Sequence, residues 1–207
     1  MMRSFVVALS LFGLVQFAQA SWEEASKTME RVTDEMLVLV TDPEMRKPES
    51  TELLMQQVDT VMLDIVDYDY IGKSVMGKFV RRASDEEVKR FSDVFKSTIL
   101  RTFAKAVSGF EFNGYSMVPP SAQSPEPDKQ IVSVDLSAAN GQTYSLVYYM
   151  VREPRGWVLV NVLVDGINLR VTFRNQFANL MEQYSSVAEV IDHWEEAMSN
   201  VVAEKGA

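Results

Sequence analysis

The run Thr143-Tyr144-Ser145-Leu146-Val147-Tyr148-Tyr149-Met150-Val151, the link Arg152-Glu153-Pro154-Arg155-Gly156 and the run Trp157-Val158-Leu159-Val160-Asn161-Val162-Leu163-Val164 decide the fold. Both long runs are rich in β-branched and aromatic residues, which suit a pleated backbone. Pro154 and Gly156 between them turn the chain. The stretch therefore reads as two antiparallel strands. In a small antiparallel sheet one face normally meets the core and the other meets water, but here neither face is polar. Tyr144, Leu146, Tyr148 and Met150 make one face of the first strand; Val147, Tyr149 and Val151 make the other. In the second strand strict alternation groups Trp157, Leu159 and Leu163 against Val158, Val160, Val162 and Val164. Either helices cover both sides of the sheet, or one apolar face lines a cavity.

Working outward, Asn140-Gly141 is a hairpin signal. It joins the first strand to an alternating run from Ile131 to Leu136. A proline-rich loop, Pro119 to Pro127, precedes that run, and a further strand spans Phe110 to Val118. Four helices come before the strands. Residues 22–40 carry Trp22, Ala25, Met29, Val32, Met36 and Val40 at helical spacing. Ser50 to Val66 carries Leu54, Val58, Val61 and Ile65, and Asp67 caps a third helix bearing Tyr68, Ile71, Val75 and Phe79. Ser84-Asp85-Glu86-Glu87 is a capping box, in which a hydroxyl and a carboxylate each satisfy an orphan amide of the first turn. It opens a long helix with Val88, Phe91, Phe95, Ile99 and Phe103 on one face. Two more helices, 168–184 and 186–202, close the chain.

The N-terminus sets the compartment. Arg3, an apolar run from Phe5 to Val15 and the small-x-small triplet Ala18-Gln19-Ala20 form a cleavable signal peptide over residues 1–20. The run is shorter than the about 20 apolar residues that span a bilayer. Residues 21–207 are then expected to be one exported domain, free in solution. The chain has no cysteine, which excludes disulfides, thiol nucleophiles and thiolate metal sites. Stability must come from a packed core.

Little else signals catalysis. His193 is the only histidine and reads as structural. Without cysteine it leaves no zinc set of the usual kind. No glycine-rich phosphate loop, dinucleotide fingerprint or nucleophile elbow occurs. Asp64, Asp67 and Asp69 do not match a calcium loop. No cofactor is expected. An apolar cavity would nevertheless suit an isomerase-like enzyme with an Asp base, and Asp135 or Asp165 would supply it. An interaction protein with an ordinary core is a third reading.

Two blocks resemble a known family. Tyr70-Ile71-Gly72-Lys73-Ser74-Val75-Met76-Gly77-Lys78-Phe79 runs through Ala83-Ser84 into the helix with Glu87, Phe91 and Phe95. Gly156-Trp157-Val158-Leu159-Val160-Asn161-Val162 runs through Asp165-Gly166-Ile167-Asn168 into a helix with Arg174-Asn175-Gln176-Phe177. In order and spacing the chain resembles the periplasmic phospholipid-binding MlaC family, also called toluene-tolerance auxiliary proteins. It departs from the pattern at Asn161, usually Asp, and at Asn168, usually Ser. The resemblance implies an α+β fold, with helices packed on a curved antiparallel sheet enclosing an apolar pocket. It also implies a periplasmic, non-enzymatic carrier that maintains outer-membrane lipid asymmetry. The carrier would shuttle phospholipid between an outer-membrane lipoprotein complex and an inner-membrane ABC transporter complex. The expected lining is Tyr144, Leu146, Tyr148 and Met150, with Phe79 and Phe103 from helices; the family's turn implies Ile167 at the mouth.

Charge marks a second region. Residues 21–70 hold 13 acidic and 4 basic residues, whereas residues 71–105 hold 4 acidic and 9 basic. An acidic body with one basic segment argues against nucleic acid. Lys78, Arg81 and Arg82 either pair with Asp85, Glu86, Glu87 and the acidic helices, at about 0–1 kcal/mol per pair, or face an acidic partner.

Overall fold

The computed structural model describes the backbone of residues 7–108 and 110–205, and the side chains of residues 21–107 and 110–198. The signal peptide expected over residues 1–20 lies outside the residues whose side chains are described. Six helices surround one sheet: α1 (Val7–Thr41), α2 (Thr51–Met62), α3 (Tyr68–Met76) and α4 (Asp85–Ser108) precede it, and α5 (Leu169–Gln183) and α6 (Val187–Lys205) follow. Strands β1 (Phe112–Val118), β2 (Lys129–Ala138), β3 (Thr143–Glu153), β4 (Gly156–Val164) and β5 (Ile167–Asn168) form an open antiparallel meander in chain order. The class is α+β. No helix among the described residues is long and apolar enough to cross a membrane.

Local chemistry sets the helix boundaries. Asp67 Oδ1 accepts from Tyr70 N at 2.8 Å and starts α3. The capping box forms at α4: Ser84 N donates to Glu87 Oε2 at 2.7 Å, and Glu87 N donates to Ser84 Oγ at 3.2 Å. Asn168 caps α5 by accepting from Val171 N at 3.1 Å, so the departure from Ser at that position keeps the cap. Helix α2 ends at Met62, short of the expected Val66, because the next residues join the sheet. Leu159 N donates to Ile65 O at 2.6 Å, and Val66 bridges Leu159 in parallel. Helix α3 also stops early. Gly77 has φ +56°, a conformation costly for any residue with a Cβ. The chain then continues as a 3-10 helix, Gly77–Arg82, which carries Phe79 off the α3 stripe.

The largest departure from expectation is inside the hairpin. Tyr149 pairs with Asn161, but Met150 pairs with Leu159, so Val160 is bulged out of register. A one-residue slip moves side chains to the other face. Leu159 and Trp157 therefore join Val162 and Val164 on the face of Leu146 and Tyr148, and Leu163 lies opposite, across from Val147. The grouping from strict alternation fails at this residue. Arg152, which pairs with Trp157, places its guanidinium carbon 4.8 Å from the indole centroid.

Two apolar clusters result. One joins α1, α2, the second half of α4 and the sheet. The other joins α3, the first half of α4, α5 and α6 around Phe91, Phe95, Phe177 and Trp194. Helices α3 and α4 touch closely at Gly72, where an added Cβ would sit 2.7 Å from Ser92 Oγ.

Candidate functional site

A cavity of about 120 Å³ lies between α1 and the sheet. Helix α1 contributes Met29, Val32, Thr33, Met36, Leu37 and Val40; the end of α2 and its link contribute Met62 and Ile65. Phe103 and Val107 come from α4, Phe112 and Leu136 from β1 and β2, and Leu146, Tyr148 and Leu159 from β3 and β4. Of these fifteen residues only Thr33 and Tyr148 carry a side-chain oxygen or nitrogen. Thr33 Oγ1 donates to Met29 O at 2.7 Å, within its own helix. Burial pushes the Tyr148 phenol above its usual value, so it stays neutral and keeps its proton. The wall made by α1 is pinned to the sheet in three places. Trp22 Nε1 donates to Ile131 O at 3.1 Å, Arg152 pairs with Glu24, and Tyr115 Oη donates to Asp34 Oδ1 at 2.6 Å. A larger groove of about 280 Å³ between α2 and α4 is open and charged, with Glu52, Asp59, Asp93 and Lys96 on its walls.

A cavity with this lining is well suited to hydrocarbon. The family model described as "MlaC protein" matches residues 30–196. The chain belongs to the MlaC family. It is 25% identical over 194 residues to toluene tolerance protein ttg2D of Pseudomonas putida, covering 93% of this chain and 88% of that one. Its fold matches a phospholipid-binding protein of Ralstonia solanacearum, solved in complex with a phospholipid, at a TM-score of 0.76 and 24% identity. That match covers 87% of this chain and 99% of the other.

Within this MlaC-family chain the residues expected to line a pocket fall in several places. Leu146, Tyr148 and Phe103 meet at the cavity. Met150 shares their face and the first apolar cluster but is 1% exposed and is not among the residues that line the cavity. Tyr144, at the start of the strand, turns its ring edge to Phe110, with centroids 5.1 Å apart, and donates to Gln142 Oε1 at 2.8 Å. Ile167 is 48% exposed on β5, also off the lining. Phe79 belongs to the other cluster, with its ring centroid 6.0 Å from that of Phe177, because Gly77 breaks α3 before it. Met29, Val32, Met36 and Val40 of α1 were visible in the sequence as a helical stripe, but a stripe facing a hollow has the same spacing as one facing a solid core.

The remaining candidates are separate from the cavity. Asp165 is exposed in the turn after β4, where its Oδ1 accepts from Ser145 N at 2.8 Å. Asp135 pairs with Ser145, on the sheet face opposite Leu146. Neither carboxylate lines the cavity. His193 stacks on Tyr184 with ring centroids 4.3 Å apart. Asn161 Oδ1 accepts from Arg170 N at 3.4 Å and so joins β4 to α5.

The basic segment keeps several of its charges unpaired. Lys89 pairs with Asp93, Arg90 with Asp192, and the Glu87 carboxylate caps α4. Lys78, Arg81 and Arg82 are exposed and form no ion pair with the described residues. Lys78 Nζ and the Arg82 guanidinium carbon instead lie 5.1 and 5.8 Å from the Phe79 ring centroid. Arg174 of α5 lays its stem against Gly77, at the start of the same 3-10 helix.

Proposed function

We propose that the chain is a non-enzymatic phospholipid carrier of the periplasm. Acyl chains occupy the cavity between α1 and the sheet, and the head group faces solvent. The observation that carries this reading is the lining itself, with thirteen of fifteen side chains free of oxygen and nitrogen. Each acyl CH₂ removed from water contributes roughly 0.8 kcal/mol, so a diffusible carrier must enclose its chains. The cavity volume is below the about 300–1,000 Å³ of ordinary ligand pockets. The guest must therefore push the walls apart, and Met29, Met36 and Met62 provide flexible thioether walls for that movement. The phospholipid-bound Ralstonia protein of the same fold supports the choice of cargo.

Native mass spectrometry of protein purified without detergent tests this reading. A bound mass in the phospholipid range is expected, and Leu146→Trp, which fills the cavity, should lower its occupancy at least tenfold while the fold persists. A folded wild-type protein carrying no lipid, or a Leu146→Trp variant with full occupancy, contradicts it.

The same reading has the carrier pass lipid between an outer-membrane lipoprotein complex and an inner-membrane ABC transporter complex. Lys78, Arg81 and Arg82 are proposed as the docking charges, supported by their exposure and their lack of ion-pair partners among the described residues. Complementary charge mainly sets encounter rate and weakens with salt. Arg81→Glu with Arg82→Glu should slow lipid transfer to the partner complex, most at low salt, and leave occupancy intact. Transfer at the wild-type rate at every salt concentration removes these residues from the interface.

A further inference from the structure

We propose that Tyr148 donates a hydrogen bond to an acyl-ester carbonyl of the cargo, so that the cavity prefers ester-linked to ether-linked chains; this rests on the carrier reading above. The cavity has two polar side chains, and Thr33 is already committed to its own helix. The Tyr148 hydroxyl has no hydrogen-bond partner among the described residues. Its neighbours across the sheet are Val132 on one side and Val162 on the other, which offer no side-chain acceptor. Leu146 and Met150 flank it along the strand face. Tyr148 is partly buried beside the empty cavity; a guest that fills the cavity desolvates its hydroxyl, which is unfavourable without a partner, and an acceptor on the guest offsets that cost.

The chemistry of the acceptor follows from the rest of the wall. No Lys, Arg or His lines the cavity, so a phosphate drawn inside would be an unpaired buried charge. A hydrocarbon tail offers no acceptor. The ester carbonyl, at the junction of tail and head group, is neutral and accepts from a neutral phenol. Burial raises the Tyr148 pKa, which keeps the donor protonated across the working pH range. A site built to bond such a group discriminates against analogues that lack it.

The test uses delipidated full-length protein and displacement of a fluorescent phospholipid. The competitors are dioleoyl phosphatidylglycerol and its diether analogue, on the wild type and Tyr148→Phe. The wild type should bind the diester about five- to tenfold more tightly than the diether. Tyr148→Phe should lose that margin by weakening the diester alone, and its melting temperature without lipid should stay level or rise. A wild type that binds both lipids alike, or a variant that keeps the margin or weakens both lipids equally, overturns the inference and leaves the carrier reading standing. A wild type that binds neither lipid overturns both.

Discussion

Helix α4 takes part in two apolar bodies that are built differently. Its first half places Phe91 and Phe95 against Phe177 and Trp194, with ring centroids 4.9–6.1 Å apart. Its second half places Phe103 and Val107 on the wall of a hollow, together with Met29 and Met36 of α1. Aromatic rings are stiff and hold their geometry through edge contacts. Methionine bends and refills irregular space. The aromatic body therefore ties α3, α4, α5 and α6 together, while the wall of the hollow carries Met29, Met36 and Met62, whose side chains can rearrange around a guest. A carrier needs both, since a wall that yields to cargo must be attached to something that does not.

The sharpest way to break that contrast is to cut a side chain from each body. Trp194→Ala should cost about 3–5 kcal/mol, lowering the melting temperature by about 6–20 °C for a chain of this size. Met36→Ala, beside space already empty, has fewer packing contacts to lose and should cost about 2 kcal/mol, the low end for such a truncation. Thermal unfolding followed by circular dichroism measures both. Equal losses would mean that the two bodies are packed alike.

A smaller effect probes how α1 is held over the cavity. Tyr115 is tied to Asp34, and partial burial together with that hydrogen bond pushes its phenol up to about 12. Both folded and unfolded chains keep the proton below about pH 10, the unfolded phenol loses it near 10, and the folded one holds it to about 12. The contribution is thus complete below pH 10 and disappears as pH rises from 10 to about 12. Tyr115→Phe should be less stable than wild type by under about 1 kcal/mol at neutral pH, and the gap should close across that window in urea titrations. A gap unchanged up to pH 12 removes Tyr115 as the tie.

The aromatic body was more legible in the sequence than the hollow one. Val88, Phe91 and Phe95 follow a single helical period behind a capping box, and the structure keeps all three in one cluster. The order of elements also follows from local patterns. The cavity depended on features that periodicity does not encode. Val160 is bulged by the register of two paired strands, and this moved Leu159 to the cavity side. Gly77 adopts a positive φ, and this placed Phe79 in the aromatic cluster. The stripe of Met29, Val32 and Met36 was readable, but whether it met a solid or a hollow depended on how far α1 stands from the sheet. Tyr115, Trp22 and Arg152 hold it there from distant positions.

The most direct test of which body holds the cargo is photocrosslinking with a phospholipid bearing a diazirine along one acyl chain, mapped by peptide mass spectrometry. Adducts should concentrate on peptides containing Met29, Met36, Phe103, Leu146 and Tyr148, and excess unlabelled lipid should suppress them. Adducts concentrated instead on Phe91, Phe177 and Trp194 would place the lipid in the aromatic body and contradict the account.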